Sequence, residues 1–79
     1  MRRPLPALSS RQVMAALRRA GFEDAPRRGK GSHHALMRRD ATGRVRLVIV
    51  PERKNLPRGT VLAILEQAGL SRAEFLDLL

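Results

Sequence analysis

Six consecutive residues near the middle of the chain, Val45-Arg46-Leu47-Val48-Ile49-Val50, constrain the fold more than any other stretch. Five of the six are β-branched or aliphatic, and Pro51 follows them, so they read as a strand. A strand needs a neighbour, and residues 32–38 supply one. Between the two lies Asp40-Ala41-Thr42-Gly43. Asp at the start and Gly at the end suit a type I turn, which makes the pair an antiparallel hairpin. In that register His33, Ala35 and Met37 share one face of the first strand, and His34, Leu36 and Arg38 share the other. Leu36 is the large apolar residue of the strand. Its face is therefore the one expected to pack on helices, which turns His34 inward and His33 outward.

Helical patterns flank the hairpin. Ser9 and Gln12 have capping-box spacing, and Val13, Met14, Ala16, Leu17 and Ala20 form an apolar stripe behind them. Gly21 ends this helix and Phe22 folds back onto it. A second helix opens at Pro57 or Arg58, presents Val61, Leu62, Ile64, Leu65 and Ala68, and closes at Gly69. Ser71 and Glu74 repeat the capping-box spacing, which predicts a third short helix over residues 72–78. Residues 23–28 are weakly patterned and contain Pro26, so they read as an edge strand or a loop. Residues 1–8, with Arg2, Arg3, Pro4 and Pro6, read as a disordered basic tail, and residues 9–79 as a single domain. The expected fold is α+β: helices on one face of a three-stranded antiparallel sheet, in the order α-β-β-β-α plus the short C-terminal helix. Double-stranded-RNA-binding domains share this arrangement.

A chain of 79 residues has a small core, and with two Phe, no Trp and no Tyr that core must be aliphatic. The same scarcity removes aromatic base-stacking, the usual device of single-strand RNA binders. The lack of cysteine excludes disulfides and Cys-type zinc sites and fits a reducing, cytoplasmic setting. No apolar run is long enough for a membrane span, so no membrane role is expected. The net charge is +9. Ten of the sixteen basic residues lie within residues 27–58, against only Asp40 and Glu52. Fourteen of the sixteen are Arg, whose fork of donors grips phosphate. A polyanion is the natural partner for so localised a charge.

The residues able to do chemistry collect at Gly29-Lys30-Gly31-Ser32-His33-His34. Adjacent histidines on a strand point to opposite faces and cannot chelate one metal ion. The acids show no ligand spacing, so no metal and no cofactor are expected. The glycines lack the pattern of a phosphate-binding loop, and no helix follows them. Ser32 stands too close to His33 in sequence for a nucleophilic triad. What remains is histidine as a general acid or base beside phosphate-binding cations, which is the chemistry RNA cleavage needs. His33 is the candidate for a proton step; Lys30, Arg53 and Lys54 are candidates for stabilising charge. A second proton-transfer group is not evident.

Several spaced stretches agree in order with one known family. They are Gly31-Ser32-His33-His34 after the first helix, Val48-Ile49-Val50-Pro51 at the end of the hairpin, and Leu56-x-x-Gly59-Thr60-x-x-x-Ile64-Leu65-x-Gln67-Ala68-Gly69-Leu70 in the second helix. Together they make residues 9–79 resemble the HicA toxins (YcfA-like) of bacterial toxin–antitoxin pairs. The resemblance implies a metal-independent mRNA interferase, an endoribonuclease without cofactor. It implies His33 as the catalytic histidine, with Gly31 supporting its corner, and a HicB-type antitoxin protein as partner; Lys30, Gly31, Ser32, Arg53 and Lys54 are the residues of this chain expected around the substrate. Two departures stand out. Members commonly carry a His shortly after the Val-Pro, where this chain has Glu52 and Arg53, and Leu36 replaces a bulky aromatic. A non-catalytic RNA-binding module of the same fold, or an inactive toxin acting through its antitoxin, is the alternative that these departures keep open.

Overall fold

The computed structural model describes residues 4–25 and 31–79. The elements follow the order α1 (Ser10–Arg19), β1 (Glu23–Asp24), β2 (His33–Arg39), β3 (Val45–Pro51), α2 (Arg58–Ala68) and α3 (Arg72–Leu78). The strands form one antiparallel sheet in the order β1-β2-β3.

Local chemistry explains each helix end. The Ser9 side chain accepts from the Gln12 backbone N–H while the Gln12 side chain accepts from the Ser9 N–H, which satisfies donors the helix leaves free. Ser71 and Glu74 do the same for α3. At the far end of α2, Gly69 adopts φ 71°, a left-handed conformation that favours glycine. The hairpin turn is held by Asp40, whose Oδ1 accepts from the Thr42 N–H, the Thr42 hydroxyl and the Arg44 N–H.

Register decides the faces. His34 pairs with Val50, Leu36 with Val48 and Arg38 with Arg46. Leu36, Val48 and Val50 are wholly buried and join Val13, Leu17, Phe22, Ile64, Leu65 and Phe75 in one core. All helices therefore cover the face that carries Leu36. The opposite face exposes Val45 and Leu47, while Ala35 on it is buried. It carries His33, Ala35 and Met37, as the alternation requires.

The edge-strand reading holds, and one other expectation changes. The edge strand is only two residues long, and its remainder to Arg28 lies outside the described residues apart from Ala25. The stretch read as a disordered tail is in part core. Leu8 is buried, its carbonyl accepts from the Leu56 N–H at 2.8 Å, and Leu5 packs on the core. A small core gains from every apolar side chain within reach, and two leucines outweigh the prolines beside them. Arg2 and Arg3 lie outside the described residues.

The paired strand positions Arg38 and Arg46 put like charges opposite each other, which alone is unfavourable. Each is diverted to a helix C-terminus. Arg38 Nη1 donates to the Ala20 carbonyl at 2.8 Å, and its guanidinium lies 4.9 Å from the centre of the Phe22 ring. Arg46 reaches the Gln67 carbonyl at 3.5 Å and Asp40 at 3.7 Å. Helix carbonyl ends carry partial negative charge, so these arginines stabilise the scaffold. They are withdrawn from the basic strip read in the sequence.

Candidate active site

The corner where β2 begins is built by Gly31, Ser32, His33 and His34. Gly31 has φ 56°, so the chain turns into the strand through a conformation that L side chains rarely adopt. Ser32 is exposed, and its carbonyl accepts from the Glu52 N–H at 2.6 Å. That bond extends the β2–β3 ladder by one step, so the loop after β3 leaves the sheet beside the two histidines.

The two rings have different surroundings. His33 stands opposite Pro51 on the open face and is exposed. None of the described residues pairs with its ring. His34 lies on the helix face at the end of the strand, with its side chain still 40% exposed. Its Nε2 is 3.1 Å from Glu52 Oε1. The second oxygen of Glu52 accepts from the Ser10 hydroxyl at 2.5 Å. Ser10, at the start of α1, is 1% exposed. It is tied to the same loop by its N–H donating to the Arg53 carbonyl at 2.9 Å and by the Arg53 N–H donating to its Oγ at 3.2 Å. The Ser10 hydroxyl first, and His34 second, hold the Glu52 carboxyl below its ordinary range, so Glu52 is ionised at neutral pH.

Arg53 and Lys54 follow Glu52 and are exposed. With Ser9, Ser10, Arg11 and Glu52 they line a groove of about 460 Å³ between the start of α1 and the β3–α2 loop. Three cations and one carboxylate therefore meet on the helix side, where His34 is bonded to Glu52. Of the site residues expected from sequence, Arg53 and Lys54 converge on this side. Gly31 and Ser32 form the corner itself, His33 faces the other way, and Lys30 lies outside the described residues. Ser10 and Arg11 were missed, and Glu52 was noticed only as a departure from a family pattern. No local signal reveals them, because the contact joins positions 42 residues apart. Among the described residues no cluster of three His, Cys, Asp or Glu side chains could hold a metal ion. No helix among them is long and apolar enough to cross a membrane.

What the corner can do follows from these groups. An imidazole that solvent reaches and a carboxylate fixes can serve as a proton donor or acceptor. The three cations that line the groove with Glu52 can hold phosphate oxygens. No curated protein matches the chain. The family model for the HicA toxin of bacterial toxin–antitoxin systems matches residues 10–70, from the first turn of α1, through the Gly-Ser-His-His corner and the hairpin, to the end of α2. That match takes in most of the 79 residues, and the chain belongs to the HicA toxin family.

Proposed function

We propose that this toxin is a metal-independent endoribonuclease that cleaves mRNA in the cytoplasm, with one histidine of the corner as general acid and base. The observation that carries this reading is the His34–Glu52 pair on the side of the Arg11, Arg53 and Lys54 groove. In the reaction the ribose 2′-oxygen bonds to phosphorus as the bond from phosphorus to the 5′-oxygen breaks. The imidazole takes the 2′-hydroxyl proton, and its protonated form returns a proton to the leaving 5′-oxygen. Charge that gathers on the phosphate oxygens is met by the guanidinium and ammonium groups of the groove.

The sequence reading assigns the proton steps to His33, and that assignment remains one arm of the proposal. His34 is the other arm, because its ring has a carboxylate partner in Glu52. Gly31 and Ser32 then serve the site by setting where the strand starts. A HicB-type antitoxin is the proposed protein partner, and the chain's net charge of +9 suits an acidic one. RNA cleavage in the presence of EDTA, by the wild type and by His33→Ala and His34→Ala, tests the reading. An RNA-binding module without activity would shift RNA on a gel with a steep salt dependence and leave it uncut.

A further inference from the structure

We propose that the outer edge of β3 is a docking strip for an acidic protein partner, which adds an extended segment to the sheet there as a further strand. The inference rests on the reading of an acidic protein as partner and is independent of which histidine reacts.

The ladder between β2 and β3 shows which backbone groups are free. The Asp40 N–H donates to the Arg44 carbonyl, and the Glu52 N–H donates to the Ser32 carbonyl. Both bonds keep the register that pairs His34 with Val50, Leu36 with Val48 and Arg38 with Arg46. In an antiparallel pair, hydrogen-bonded positions alternate with free ones, so Arg46, Val48 and Val50 bond inward to β2. Val45, Leu47 and Ile49 then turn their N–H and C=O groups outward. Ile49 shows this directly, because its N–H donates to the Gln67 side chain of α2 at 3.1 Å. β3 stands at the edge of the sheet. Among the described residues nothing bonds to the outward N–H groups of Val45 and Leu47.

Such an edge is a template for another strand, and its side chains add to the template. Val45 and Leu47 are 45% and 39% exposed on the face away from the helices. Met37, paired with Leu47, is half-buried beside them. An incoming strand can lay its apolar side chains against this row while its backbone takes the free donors and acceptors. Pro51 has no N–H, so the strip covers residues 45–49. Charge selects the occupant. Arg44 precedes the strand, Arg39 lies opposite Val45, and both are exposed. Each copy of the chain carries +9, so two copies pairing edge to edge bring like charges together. The same arginines favour a segment in which acidic residues alternate with apolar ones.

The test uses the full chain labelled with ¹⁵N. The probe is a synthetic peptide of alternating valine and glutamate, with its valine–lysine counterpart as control. Amide hydrogen exchange reads the edge. In the free chain Val45 and Leu47 should exchange quickly, and Arg46, Val48 and Val50 slowly. The glutamate peptide should slow Val45 and Leu47, and the lysine peptide should not. Leu47→Pro removes one outward donor and spares the ladder to β2, because proline is tolerated where a strand N–H faces outward. With unchanged far-UV circular dichroism it should weaken peptide binding by about tenfold. Peptide binding that leaves Val45 and Leu47 exchange unchanged overturns the docking strip and leaves the acidic partner standing. A glutamate peptide that does not bind overturns both. Slow exchange at these amides in the free chain, growing with protein concentration, gives the edge to a second copy and overturns the acidic occupant. If Leu47→Pro does not fold, exchange in the wild type still decides between these outcomes.

Discussion

At the residue scale, the charged side chains divide into those that hold the fold and those left free for a partner. Arg38 belongs to the first group through its bond to the Ala20 carbonyl and its place over Phe22. Replacing it with Ala should lower stability by about 1–2 kcal/mol, the sum of a helix-end charge effect and a cation–π contact. Urea unfolding measures this, and Arg38→Lys should recover only part of the loss because an ammonium lacks the planar fork. The acids respond to pH in a defined sense. Glu52 and Glu74 have folded pKa values below the ordinary 4.5, Glu52 through Ser10 and then His34, Glu74 through the backbone and side chain of Ser71. Their stabilisation is complete above that ordinary value and is lost as pH falls through the lowered folded values. Acid titration of stability should therefore show a decline beginning near pH 4.5, and Glu52→Gln should remove part of that slope. The sequence could not sort these residues. Alternation places Arg38 and Arg46 on the inward face, but nothing local says that a helix end lies above each of them.

At the element scale, the secondary structure is written in local signals and the site is not. Capping boxes at Ser9 and Ser71, glycines after α1 and α2, and the β-branched run of β3 each specify an end or a period within a few residues. These elements were legible for that reason. The meeting of α1 with the loop after β3 depends on how the helix docks, so the Ser10–Glu52 contact was not legible. The C-terminus of α2 gives a test of the same local logic. Gly69 has a positive φ, and a Cβ there would stand 2.6 Å from Arg46 Cζ. Gly69→Ala should cost about 1–2 kcal/mol, chiefly for placing an L side chain in the left-handed region, because the tip of Arg46 can move away. Thermal unfolding measures it, and adding Arg46→Ala should leave most of that cost in place.

At the scale of the whole molecule, the core is larger than the family match. Residues 10–70 match, yet Leu8 and Phe75 lie on either side of that span and are buried in the same cluster. At about 0.05–0.15 kcal/mol per residue, a domain of this length holds only about 4–12 kcal/mol in all. Phe75→Ala, at about 3–5 kcal/mol, should leave a large unfolded fraction at 37 °C by circular dichroism. The sheet, pinned on one face by this core, presents its two histidines to different sides, and that separation is what makes the central claim decidable. The most direct measurement is RNA cleavage by the purified protein in EDTA, beside His33→Ala and His34→Ala variants of matched fold. The account predicts that the wild type cuts and that one of the two variants does not. A wild type that only binds RNA, or two variants that both cut as well as the wild type, would contradict it.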